Sequence, residues 1–343
     1  MITKSDPATQ SRPWQRALAR AISDPRELLR RLALDPAAVD LSAADSGFPL
    51  RVPESYVRRM QPGDPDDPLL RQVLPVAAER RVAAGYSADP VGDLASAVRP
   101  GLLHKYAGRV LLVATGACAV HCRYCFRRHF PYSGETARGK RLQAALDYIR
   151  ADPSIREVIL SGGDPLSLSD ERLAELTAAL AEIPHVEILR VHTRTPVVLP
   201  ERVDGDLLAW LSGWPRTRVV VLHANHAREI DAQVAEAARA LAGAGARLLN
   251  QAVLLRGVND SVGALEALSR RLFTAGVLPY YLHLLDPVAG ASHFEVPERT
   301  ARRLIEVLAA RLPGYLVPRL AQEVPGATSK RWPGAVENTP QIG

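Results

Sequence analysis

From Arg109 onward the chain alternates β-rich apolar runs with amphipathic helical stretches, and this alternation constrains its fold more than any other feature. The runs are "RVLLVAT", "EVILSG", "VEILRVHT", "RVVVLHA", "RLLNQAVLL" and "LPYYLHLL", beginning at Arg109, Glu157, Val186, Arg218, Arg247 and Leu278. Between them lie "GKRLQAALDYIRAD", "SDERLAELTAALAEI", "DGDLLAWLS", "EIDAQVAEAARALAGAG" and "DSVGALEALSRRLFTAG", with Ser, Asp or Gly where helix caps belong. Strands joined through helices run parallel, and a parallel sheet is buried on both faces. The pattern predicts an α/β fold in which the sheet either stays open or curls toward a barrel. In both cases ligands bind at the carboxyl ends of the strands.

The rest of the chain frames this core. Residues 1–100 are rich in Pro, Asp and Arg and read as short helices, for instance "WQRALARAISDPRELLRRLAL" with Pro25 near the start of a second piece. They are expected to pack on the following domain and to carry no site. Residues 101–312 form the repeating core, and residues 313–343 a Pro/Gly-rich tail containing "PRLAQEVPGATSKRWPG". A hydrophobic fraction of 47% is ample for a core in a chain of 343 residues. The net charge of +6 is spread along the chain without runs of basic and aromatic residues, which argues against direct nucleic-acid binding. The opening "MITKSDPATQSRPWQRALAR" has no apolar signal core, and no stretch approaches 18 uninterrupted apolar residues. A cytoplasmic protein that does not enter membranes is expected.

All three cysteines, Cys118, Cys122 and Cys125, fall within eight residues as C-x3-C-x2-C, in a loop after the first core strand. An odd number packed so tightly does not make a disulfide framework. Three thiolates in such a loop suit a [4Fe-4S] cubane whose fourth iron has no protein ligand and is open for chemistry. Two plainer readings stand beside it: a zinc site completed by His121 or His129, although no second ligand pair exists, or three unligated thiols. Amine chemistry has few candidates, because only Lys4, Lys105, Lys140 and Lys330 among the 43 basic residues are lysines. Lys330, in "PGATSK", either reaches a carbonyl compound as a Schiff base or is simply solvated. Lys105 and Arg109, four residues apart, suit a phosphate or form an exposed charged turn.

Together "CAVHCRYC", "CRYCFRR", "SGGDPL", "RTPVVLP", "NQAVLLRGVND" and "SHF" resemble the lysine 2,3-aminomutase family of radical S-adenosylmethionine enzymes, over about Leu102 to Lys330. The resemblance implies a partial (β/α)6 TIM-like radical SAM barrel, an N-terminal helical extension and a short C-terminal segment for pyridoxal 5′-phosphate. It implies a [4Fe-4S] cluster on Cys118, Cys122 and Cys125, S-adenosylmethionine on the open iron, and pyridoxal phosphate on Lys330. Lys105 and Arg109 would meet the phosphate, with lysine at 105 in place of the usual arginine. Gly162, Gly163 and Asp164 would meet the amino group of S-adenosylmethionine. His223, Asn225 and Gln251 are further cofactor contacts or else satisfied polar residues at a barrel rim.

The same resemblance puts the substrate carboxylate on Arg127 and its ε-ammonium on Asp286 and Glu323, the latter replacing an aspartate. Two carboxylates favour a diamino acid over glutamate. The implied reaction is the migration of an amino group from the α- to the β-carbon of lysine, with flavodoxin or ferredoxin as electron donor. The chain stops thirteen residues after Lys330 and has no later cysteine, which resembles the shorter bacterial branch supplying (R)-β-lysine to elongation factor P through a separate β-lysine ligase. Homo-oligomer formation is left open. Rival readings are a catabolic lysine aminomutase, an aminomutase of another amino acid, an iron–sulfur electron carrier that needs no Lys330, and a zinc-dependent binding module.

Overall fold

The six expected strands all form, as β3 (Arg109–Thr115), β4 (Glu157–Gly162), β5 (Ile188–Thr193), β6 (Thr217–Leu222), β7 (Arg247–Val253) and β8 (Leu278–His283). The structure is a computed structural model that describes residues 12–41 and 48–334. Each strand pairs in parallel with the next. Four of the intervening helices start where side-chain caps satisfy their first free N–H groups: Ser169 accepts from Arg172 N, Asp204 from Leu207 N, Asp231 from Val234 N and Ser261 from Ala264 N. Every residue of β4 is buried, as expected of a strand covered on both faces.

Three strands escape the sequence pattern. β1 (Ala97–Arg99) and β2 (Leu102–Tyr106) add an antiparallel extension before β3, and β9 (Arg319–Ala321) continues the parallel sheet after β8. They are three to five residues long, too short to express a period, and only the edges of the existing sheet induce them. Among the described residues nine strands lie in sequence order in one sheet that runs across residues 100/101 and 312/313. Several apolar runs also outlast their strands: His223, Ala224, Leu254, Leu255, Leu284 and Leu285 lie beyond the last paired residue. Hydrophobicity continues there because the loops are buried at the rim.

The N-terminal helices do pack on the core. Trp14, Leu28, Leu29, Tyr56 and Leu69 form one apolar cluster with Ala119 and Val120 of the cysteine loop and with Val198 and Leu199 after β5. Fully burying each of these leucines contributes roughly 1.5–3 kcal/mol. The extension therefore holds down the loop at the carboxyl rim of the sheet. Among the described residues no helix is long and apolar enough to cross a membrane.

Candidate active site

The cysteine loop lies directly against the end of β4. Gly163 N donates to Thr115 O and Asp164 N to Ala117 O, both at 2.7 Å. A Cβ on Gly163 would stand 2.3 Å from Ala117 O, and one on Gly162, whose φ is +120°, would stand 2.5 Å from Thr115 O. These glycines admit the backbone of the cysteine loop. Asp164 is engaged within the protein: its carboxylate accepts from Leu166 N, Thr193 Oγ1, Arg194 N and Thr195 N at 2.7–3.0 Å. It ties the end of β4 to the end of β5.

All three cysteines are unpaired. Burial and the neighbouring Cys125, Asp164 and Cys122 push the Cys118 thiol up, while burial and Cys122 push Cys125 up to about 11. The half-buried Cys118 and Cys125 thiols thus resist ionising unless cations neutralise them, which is what iron ligation does. His121 turns to Pro49 O at 2.8 Å and stacks on Phe48, and His129 reaches Ala289 O at 3.1 Å. Among the described residues no group of three or more His, Cys, Asp and Glu side chains is placed to hold one metal ion. One ring nitrogen of each of the two histidines that could complete a zinc site is thus engaged by a backbone carbonyl, and a cubane with one open iron draws its protein ligands from the three sulfurs alone.

The first hundred residues, expected to carry no site, contribute two buried acids that hold cations of the candidate site. Glu79 is buried and accepts from Arg123 Nε at 2.8 Å and from Arg128 Nη2 at 2.7 Å, bracing both sides of Cys125. Asp93 is also buried and binds Arg127 Nε at 2.6 Å and Lys105 Nζ at 2.7 Å. Burial opposes its ionisation, but Arg127 and Lys105 outweigh burial and hold it below the usual carboxylate range. Neither acid belongs to a local motif. The missing signal is three-dimensional: buried arginines need buried partners.

From Arg127 the polar contacts continue without a break to Lys330. Arg127 Nη1 also donates to Ser161 Oγ at 3.1 Å; Lys105 Nζ lies 3.6 Å from Glu323 Oε1; and Glu323 pairs with Lys330 Nζ. Tyr106 Oη donates to Glu323 at 2.7 Å. Local backbone geometry explains the last pair. Gln322 and Arg331 exchange backbone hydrogen bonds at 2.9 Å in both directions, which closes a hairpin and makes Glu323 and Lys330 cross-strand neighbours. The stretch that reads as a small-residue loop is the turn of that hairpin. Burial opposes ionisation of Glu323, but Lys330, Tyr106 and Lys105 outweigh it and lower its pKa.

Asp286 follows β8 and meets the same group of charges. Burial, then repulsion from Glu323, raises its pKa to about 7, and Oδ1 is buried without a hydrogen-bond partner. An orphaned carboxylate oxygen facing a second carboxylate fits an incoming cation. The expected pH dependence has a definite sign. The folded carboxyl keeps its proton to about pH 7, whereas the unfolded one loses it near pH 4, so the stability it contributes is complete below about pH 4 and lost as pH rises to about 7. Asp286→Asn should flatten that part of the pH profile in urea titrations of the cofactor-free protein; an unchanged slope would contradict the burial of Asp286.

Of the remaining expected residues, His223 and Gln251 meet: burial, then Arg194 and Arg127, push His223 down to about 3, so its neutral Nε2 accepts from Gln251 Nε2 at 3.0 Å. His192 Nε2, beside His223, is buried with no partner. Asn225 is satisfied within the protein, donating to Gln72 and Tyr124 and accepting from Val253 N. Arg109 stacks on Tyr106 with 4.7 Å between the guanidinium carbon and the ring centroid, while Lys105 turns to Asp93 and Glu323. The two cations thus do not share one partner. Lys140 opens the helix Lys140–Ala151, and Lys4 lies outside the described residues.

The Radical SAM superfamily profile matches residues 112–266. The L-lysine 2,3-aminomutase of Escherichia coli K12 is 46% identical over 96% of this chain and 96% of its own length, and that of Haemophilus influenzae is 46% identical over 92% and 94%. The L-lysine 2,3-aminomutase of Clostridium subterminale is 41% identical over 80% of this chain and 66% of its own length. Among solved structures, a radical SAM methyltransferase from Sphaerobacter thermophilus overlaps with a TM-score of 0.44 and 23% identity, over 64% of this chain and 68% of that one. Radical SAM membership implies a [4Fe-4S] cluster and S-adenosylmethionine, and the cysteine loop has the donor set that such a cluster requires. With nearly half its residues identical to a relative matched almost end to end, the chain belongs to the L-lysine 2,3-aminomutase family of radical S-adenosylmethionine enzymes, which are isomerases.

Proposed function

We propose that the protein is a pyridoxal phosphate-dependent L-lysine 2,3-aminomutase that converts (S)-α-lysine into (R)-β-lysine for the modification of elongation factor P. The carrying observation is the unbroken line of polar contacts from the cysteine loop through Arg127, Asp93, Lys105 and Glu323 to Lys330. It links the cysteine loop and an amine, the two anchors that the reaction needs, through residues of opposite charge.

In this reading the cofactors supply the hydrogen-abstracting radical and the conjugated ring that lets nitrogen migrate. Lys330 is the covalent anchor of pyridoxal phosphate. Arg127, pinned by Asp93 and Ser161, presents a fixed cation to the substrate carboxylate. Asp286 and Glu323 receive the ε-ammonium, whose charge offsets the burial and the repulsion from Glu323 that together hold the Asp286 pKa up. The ammonium also takes over the countercharge that Lys330 gives Glu323. Holding the substrate at both ends fixes which hydrogen meets the radical, and that positioning is the main contribution of the chain.

Similarity supports the elongation factor branch: the chain is 46% identical to the Escherichia coli protein over 96% of its residues and 41% identical to the clostridial one over 80%. Under this reading flavodoxin or ferredoxin supplies the electron, the β-lysine ligase consumes the product, and work in the cytoplasm follows. The test is anaerobic incubation with L-lysine, S-adenosylmethionine and dithionite, followed by chiral analysis. Accumulation of (R)-β-lysine is the expected result; the opposite enantiomer would assign the chain to catabolism, and absence of any β-amino acid would remove the aminomutase reading.

A further inference from the structure

Arg194 directly follows β5 and has no part in the roles given above. Its side chain is buried, and its Nη1 donates to Cys122 Sγ at 2.7 Å and to Tyr124 Oη at 2.6 Å. Its Nη2 donates to Gln72 Oε1 at 2.7 Å, Glu229 Oε2 at 2.9 Å and Tyr56 Oη at 3.1 Å. The backbone is held as well, since the Asp164 carboxylate accepts from Arg194 N and Thr195 N. These partners come from the N-terminal extension, the cysteine loop and the segments after β4 and β6, so the guanidinium cannot turn away from the sulfur without breaking several buried hydrogen bonds. Cys125, by contrast, is approached by the backbone N–H of Arg127.

The Arg194–Glu229 pair is neutral overall, but it is oriented, with its N–H pole on the sulfur and its carboxylate on the far side. A donor so placed favours whichever cluster state carries more negative charge on sulfur. Adding one electron to a cubane increases that charge, and hydrogen bonds to ligand sulfurs are one of the protein's controls over cluster potential. We propose that Arg194 is a positioning residue whose hydrogen bond to Cys122 raises the reduction potential of the cluster and so eases its one-electron reduction by the external donor. This rests on the reading that Cys118, Cys122 and Cys125 carry an iron–sulfur cluster.

The test uses the full chain, reconstituted anaerobically with iron and sulfide and titrated with dithionite and mediators, without S-adenosylmethionine or lysine. The readout is the paramagnetic resonance amplitude of the reduced cluster. The double variant Arg194→Gln with Glu229→Gln keeps the buried pair neutral, and Arg194→Lys keeps a charge but loses the fork. In both, the reduced-to-oxidised ratio at a fixed potential should fall about ten-fold, which is about 59 mV for one electron. Unchanged potentials at full iron content would leave Arg194 as a structural tie alone and overturn the proposal. A second measurement needs no variant: with arginine labelled by nitrogen-15 only in its guanidino group, the reduced wild-type cluster should show a nitrogen-15 coupling in pulsed double resonance. Its absence would also overturn the proposal. A wild-type protein that takes up no iron would instead refute the cluster assignment.

Discussion

Lys330→Ala should abolish β-lysine formation, by at least about 10⁴-fold, while the anaerobically purified variant should keep wild-type iron and sulfide. Two features of the structure separate the chemistry of this lysine from the stability of the fold. Lys330 lies at the turn of the hairpin closed by Gln322 and Arg331, whose backbone hydrogen bonds do not involve its side chain. Its ionic partner Glu323 also retains Tyr106 and Lys105 when the amine is removed, so that carboxylate is not left without a donor. The variant should therefore unfold at nearly the wild-type urea concentration and lack the visible absorbance of protein-bound pyridoxal phosphate. Retained activity, or loss of iron together with absorbance, would show that Lys330 is not the anchor.

The converse experiment has an equally large effect. Cys122→Ala should lose the cluster and all aminomutase activity, yet still bind pyridoxal phosphate at Lys330. The fold tolerates the change because Arg194 Nη1, on losing the sulfur, keeps Tyr124 Oη, and Nη2 keeps Glu229, Gln72 and Tyr56. Iron analysis and the visible spectrum distinguish the two lesions: one variant loses the amine-bound cofactor and the other the metal. A Cys122→Ala protein that kept a full complement of iron would refute the three-sulfur cluster.

The six core strands were legible because each is long enough to carry an apolar run between capped helices, and Ser169, Asp204, Asp231 and Ser261 mark the starts of four of those helices. The cysteine spacing was legible because a loop that wraps one cluster must draw its ligands from neighbouring positions. Asp93, Glu79 and Arg194 were not legible. Each works through a partner far away in the chain: Asp93 through Arg127, Glu79 through Arg123, and Arg194 through Cys122. Each looks, in one dimension, like one more charged residue in a chain that has many.

Local order along the chain thus dictated which segments become strands and helices, where three sulfurs gather and which few amines exist, because hydrophobic period, capping and ligand spacing act over a handful of residues. Folding settled which charges are buried together, that a short hairpin sets Glu323 against Lys330, and that one guanidinium points at a cysteine. Those outcomes depend on electrostatic pairing across elements far apart in sequence, and a buried ion finds its partner only when the sheet has brought the rims of its strands together.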